Sequence, residues 1–183
     1  MDRRIPSSSQ TVGPFFTIGL KHLIDRTVEL GYAGADVIEI RGSVLDRDGS
    51  PVPDAMLEFW NAGDTGGDAM VGSREHGIPD GFRRVTTNLE GSFAVRIAKP
   101  VSTTGEVGEQ APHLMVLVFA RGLQRHLISR VYLEGERGNE HDPVLLGVPA
   151  ERRSTLIAKV YGTESYLWDV ILQGDNETVF FAW

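Results

Sequence analysis

The stretch Val37-Ile38-Glu39-Ile40-Arg41-Gly42-Ser43-Val44-Leu45 decides the fold. Ile38, Ile40, Gly42 and Val44 fall on one side of an extended chain and Glu39, Arg41 and Ser43 on the other. That is the period of two of a strand with one buried and one wet face. Downstream, Asp46-Arg47-Asp48-Gly49-Ser50-Pro51 is turn chemistry, and residues 55–60 resume as a strand. Residues 82–87 and 92–98 flank Asn88-Leu89-Glu90-Gly91, residues 113–120 and 126–133 flank Arg121-Gly122-Leu123-Gln124-Arg125, and residues 166–173 and 178–182 flank Gly174-Asp175-Asn176-Glu177. Each of the three reads as a hairpin. The run 114–120 is apolar on both faces, which places it centrally in a sheet.

Upstream the pattern changes. Leu20, Leu23, Ile24 and Val28 allow one helix from Ile18 to about Leu30, stopped at Gly31. The first sixteen residues hold Pro6, Ser7-Ser8-Ser9 and Gly13-Pro14, and read as an extended arm pinned to apolar surface by Phe15 and Phe16. Residues 61–80 carry five glycines, with Gly81 just beyond, and read as a long loop. The expected fold class is all-β: an antiparallel β-sandwich with an N-terminal arm and a short helix. Residues 1–36 would form the arm and helix, and 37–183 the sandwich.

Composition narrows the function classes. The chain has 183 residues, 41% of them hydrophobic, enough for one core. Eighteen basic against 25 acidic residues leave −7, so nothing favours nucleic acid or an anionic membrane surface. The absence of cysteine excludes disulfides, thiolate nucleophiles and Cys-ligated metal sites. No apolar run has the length of a signal peptide or a membrane span, and a cytoplasmic location is the resulting expectation. The five histidines, His22, His76, His113, His126 and His141, show no i, i+2 pairing on a strand and no i, i+4 pairing on a helix. Gly-x-Ser-x-Gly, phosphate-binding and dinucleotide-binding motifs are missing.

Several motifs are nevertheless specific. Ser9-Gln10-Thr11-Val12-Gly13-Pro14-Phe15-Phe16, the run Gly42 to Ala55 leading into Leu57-Glu58-Phe59-Trp60-Asn61-Ala62, Ala111-Pro112-His113 through Phe119-Ala120-Arg121-Gly122, Arg130-Val131-Tyr132-Leu133 and Arg153 to Lys159 occur in order. Together they resemble the intradiol ring-cleaving dioxygenases, and within them the α subunits of the heteromeric, protocatechuate-cleaving branch. The resemblance implies catalysis at Fe(III) held by two tyrosinates and by two histidines one residue apart on a strand. Here His113 matches the first histidine position and Met115 stands at the second. The tyrosine positions fall near Asp68 and near Lys99 and Pro100, and no tyrosine lies between Tyr32 and Tyr132. A thioether is a poor donor to a hard ferric ion. The implication is a chain that binds no metal, with no catalytic residue of its own, beside a β subunit that holds Fe(III).

The resemblance also implies what such a chain contributes to O2-dependent cleavage of protocatechuate to 3-carboxy-cis,cis-muconate. Thr11, Gly13 and Pro14 of the arm and Arg121 of the Phe-Ala-Arg-Gly motif match positions that line the substrate pocket across the subunit interface. A buried carboxylate on the substrate needs a positive partner or several donors. Each residue has a plainer reading: Arg121 as a solvated turn residue, the arm as a docking strap, His113 as a hydrogen-bonded core histidine. Arg125, His126 and Arg130 read as a basic surface or interface stretch, and Trp60, Tyr132, Tyr166 and Trp168 as core. Two rival functions stay open: a self-sufficient iron dioxygenase using a different tyrosine pair, one that includes Tyr132 or Tyr161, and a transthyretin-like, non-enzymatic binding module.

Overall fold

The computed structural model describes residues 11, 13, 15–29, 36–61 and 81–182. Strand β1 (Val37–Leu45) occurs where the alternation places it, with Ile38, Ile40 and Val44 buried. Next come β2 (Met56–Asn61), β3 (Phe82–Thr86) and β4 (Ser92–Ala98), then the short pair β5 (Thr103–Gly105) and β6 (Gly108–Gln110). The strands β7 (His113–Phe119), β8 (Leu127–Leu133), β9 (Ile157–Gly162), β10 (Ser165–Leu167) and β11 (Val170–Ile171) complete the set. Helix α1 (Phe15–Glu29) precedes them and packs against β3. Helix α2 (Pro143–Gly147) and two 3-10 segments, Arg137–Glu140 and Ala150–Leu156, fill the connection from β8 to β9.

Nine strands form one sheet in the order β11-β1-β10-β9-β8-β7-β2-β3, with β4 on the other edge of β1. It folds over until β3 and β4 lie side by side without pairing, a nearly closed barrel. Ile40, Leu57, Phe59, Ile97, Leu114, Val116, Val131 and Val170 fill its interior and are fully buried. As expected, β7 is central, flanked by β2 and β8.

The expectation of an all-β, antiparallel sandwich needs correction. The sheet is mixed: β1 runs parallel to β10 and β11, and β8 runs parallel to β9. Alternation reports which face a residue occupies and is blind to strand direction, so the parallel crossovers left no mark in the sequence. Of the three expected hairpins, only β7–β8 is one. Between β3 and β4 the turn is present, with the Gly91 amide donating to the Asn88 carbonyl, but β3 pairs with β2 and β4 with β1. Residues 178–182 form no strand; the Phe181 amide meets the Ile128 carbonyl and the Ser129 hydroxyl meets the Val179 carbonyl, contacts too sparse for a ladder.

Helix α1 begins at Phe15, three residues before the expected start. Its half-buried stripe is Leu20, Leu23 and Ile24. Phe15, expected to pin the arm, is instead 70% exposed on the first turn. Residues 1–10 and 62–80, where the arm and most of the long loop are expected, lie outside the described residues; Asn61 belongs to β2.

Candidate functional site

Alternation along β7 sends His113, Met115 and Leu117 to the face away from the barrel core. Register sets His113 opposite Tyr132 and Met115 between Trp60 and Arg130. His113 is buried, its ring centroid 5.4 Å from that of Tyr132. Its Nδ1 lies 2.7 Å from the Ala111 carbonyl, which can only accept, so the proton sits on Nδ1 and the lone pair on Nε2. Histidines that bind metals are oriented in this way. Burial first, and the Arg130 charge after it, pull the His113 pKa below its ordinary value, against the raising effects of the Ala111 bond and Asp142.

What His113 lacks is companions. Arg130 is 7% exposed, and its Nη1 donates to Gln110 Oε1 at 2.7 Å and, more weakly, to the Tyr132 hydroxyl at 3.4 Å. The Tyr132 hydroxyl in turn donates to Asp142 Oδ1 at 3.0 Å. Burial, the largest influence, raises the Tyr132 pKa well above its usual value, so the group is a phenol. Asp142 caps α2 by accepting from the Val144 and Leu145 amides, and its other oxygen accepts from the Ala111 amide at 2.8 Å. One carboxylate thus ties α2, the start of β7 and Tyr132 together.

This donor set does not fit Fe(III). One imidazole faces a thioether at Met115, a phenol committed to Asp142 and a guanidinium whose positive charge already bears on His113. Among the described residues no three His, Cys, Asp or Glu side chains come together as a metal-holding cluster. The expectation that Arg130 belongs to a basic surface or interface stretch with Arg125 and His126 is corrected as well: it is buried within the chain. It points inward into the Gln110–Tyr132–Asp142 network, whereas Arg125 and His126 are exposed. Sequence reasoning missed Asp142 altogether, although Asp142-Pro143 before an apolar run is a helix-start signal.

The other site residues lie elsewhere. Arg121 follows β7 at the tip of the β7–β8 hairpin, 51% exposed, with Nη2 3.5 Å from Asp54 Oδ2. It stands eight positions beyond His113, past the whole of β7, whose seven residues span roughly 20 Å at strand rise. Gly13 adopts a left-handed conformation, φ +65°, and its amide donates to the Thr11 hydroxyl at 3.2 Å. Thr11 and Gly13 are therefore joined to each other and Arg121 to Asp54, with no bond between the two groups. Pro14 lies outside the described residues.

The dioxygenase family model matches residues 13–174. The chain belongs to the intradiol dioxygenase family. The protocatechuate 3,4-dioxygenase alpha chain of Burkholderia cepacia is 39% identical over 193 residues, covering 94% of this chain and 95% of that one. The beta chain from the same organism is 26% identical over 171 residues, covering 85% and 72%. In fold, the chain is similar to the dioxygenase domain of a dioxygenase–carbohydrate-binding protein fusion from Streptomyces sp. SirexAA-E, with a TM-score of 0.57 at 23% identity over 79% of this chain and 84% of that one. Membership of the intradiol dioxygenase family weighs against the transthyretin-like alternative. Among the described residues no helix is long and apolar enough to cross a membrane.

The buried histidine gives this family member a pH signature. As pH falls below about 6.5, the unfolded chain takes up a proton at residue 113 before the folded chain does. Stability is expected to drop from there towards the lower folded-state pKa, and above that window His113 adds no slope. Urea unfolding of wild type and His113→Asn at pH 7.5 and about 5.5 checks this: the variant should lose less stability between the two pH values. Equal losses would mean that His113 carries no linkage.

Proposed function

We propose that this chain is the non-iron-binding α subunit of a protocatechuate 3,4-dioxygenase, acting beside a β subunit that holds Fe(III). The donor set around His113 carries the reading: an imidazole, a thioether, a phenol and a guanidinium cannot replace a tyrosinate and histidine ligand set. That also weighs against a self-sufficient enzyme that would use Tyr132, whose hydroxyl is committed to Asp142. The higher identity to the alpha chain than to the beta chain supports the same choice.

Arg121 supplies the second support. Standing a full strand length from His113, it cannot serve a pocket built around that residue, but its exposed position at a hairpin tip lets a guanidinium reach into a pocket on another chain. In that pocket Arg121, with Thr11, Gly13 and Pro14, would receive the substrate carboxylate and frame the ring. Iron in the partner would supply the centre for catechol binding and O2 chemistry, the ring opening between the two hydroxyl-bearing carbons to give 3-carboxy-cis,cis-muconate. The part of this chain is binding and orientation: Arg121 would supply charge for the carboxylate and the arm would hold the ring in place.

Iron content and visible absorption of the chain alone and co-expressed with its β subunit test the proposal. The lone chain should be colourless and iron-free, and the complex coloured and active on protocatechuate. In the complex, Arg121→Ala should lower kcat/KM about 10- to 100-fold, the worth of one charge-assisted hydrogen bond, with iron content unchanged. A lone chain that carries iron would overturn the assignment.

A further inference from the structure

A groove of about 570 Å³ lies between the β7–β8 hairpin and the segment 178–182. Phe119, Leu123, Leu127, Ile128, Phe180 and Phe181 make its floor and walls, and Arg125 and His126 stand exposed at its rim. The charge is out of character: the chain as a whole is −7, yet residues 121–126 hold two arginines, a histidine and no carboxylate. Arg121 is matched by Asp54, whereas among the described residues no carboxylate pairs with Arg125. The exposed apolar residues at the β9–β10 end, Val160, Tyr161 and Leu167, differ in that the nearby Lys159 and Arg41 are paired with Glu134 and Glu39.

We infer that this groove seats the iron-bearing partner, through a stretch of that partner carrying apolar side chains beside a carboxylate. The inference rests on the subunit reading above and deepens it. The hairpin that would send Arg121 into the partner's pocket also forms one wall of the groove, so a partner close enough to receive the guanidinium must cover the adjacent apolar floor. An apolar centre with a charged rim is the anatomy of a specific interface, and a groove of this size holds its anchor residues, the rest of the area lying around it. The basic rim sets orientation and association rate more than final affinity.

The test uses the full chain and its cognate β chain. Arg125→Glu combined with His126→Glu changes two exposed side chains, and circular dichroism of the lone variant checks that the fold persists. The double variant should associate about tenfold or more slowly with the β chain, and the wild-type association rate should fall as salt is raised. Val160→Ser, at the other apolar end, should pair like wild type. A double variant that pairs at the wild-type rate in an active complex overturns the groove and leaves the subunit reading intact. A wild-type chain that forms no complex with the β chain overturns the subunit reading itself.

Discussion

Gly42→Ala is expected to be among the most damaging single substitutions in this chain. A Cβ at position 42 would stand 1.8 Å from the Trp168 carbonyl oxygen and 2.7 Å from its carbon, with the Phe93 ring at 3.1 Å. Both closest atoms are backbone, and that backbone is held by the Trp168 amide donating to the Arg41 carbonyl at 2.8 Å. The chain between β10 and β11 therefore cannot retreat without detaching from β1. A cost of about 3–5 kcal/mol follows, and a fall in Tm of roughly 10 °C for a domain of this size. Gly49→Ala is the control: Gly49 has φ +74°, yet a Cβ there meets open space. Its cost is the backbone strain alone, about 1 kcal/mol. Thermal melts that ranked the two alike would show that β1 and the β10–β11 link are not pressed together as described.

Asp142→Ala should cost about as much for a different reason. The carboxylate is 1% exposed and accepts from the Ala111, Val144 and Leu145 amides and from the Tyr132 hydroxyl. Alanine strands all of these donors where water cannot replace the acceptor, at about 3–5 kcal/mol. Asp142→Asn keeps one carbonyl oxygen and turns the other acceptor into a donor, so about half that loss is expected. Denaturant unfolding of the two variants against wild type gives the order. A near-neutral Asp142→Ala would mean that α2 and the start of β7 are held by other contacts.

These two residues also mark what the sequence could disclose. Position 42 sits in an alternating run that a first reading places correctly on a strand, and the buried faces of β1, β2, β4, β7 and β8 follow from period and composition. That Gly42 must be glycine depends on Trp168, 126 positions later, and no local pattern carries that information. Strand direction was hidden for the same reason. The 82–98 segment shows the converse error: a sound turn at Asn88–Gly91 joins strands that belong to different neighbours, because turn chemistry fixes a reversal and leaves the pairing free. At the site, His113 and Met115 were legible as a broken pair. Arg130 was misplaced because a basic residue in the middle of a strand reads as part of its wet face unless its buried acceptors, Gln110 and Tyr132, are seen beside it.

The parallel pairing of β1 has a consequence for how the molecule is made. Opposite β4, the other edge of β1 is covered, among the described residues, by β10 and β11 alone, and the Ser43 amide waits for the Asp169 carboxylate 126 residues downstream. During synthesis β1 and β4 can join early, but the opposite edge stays open until the ribosome has delivered that distant segment. Such long-range closure is slow, and an open edge invites pairing with other nascent chains. The closing of the sheet therefore waits for residues 165–171, and pairing with a partner subunit, as proposed above, would follow it.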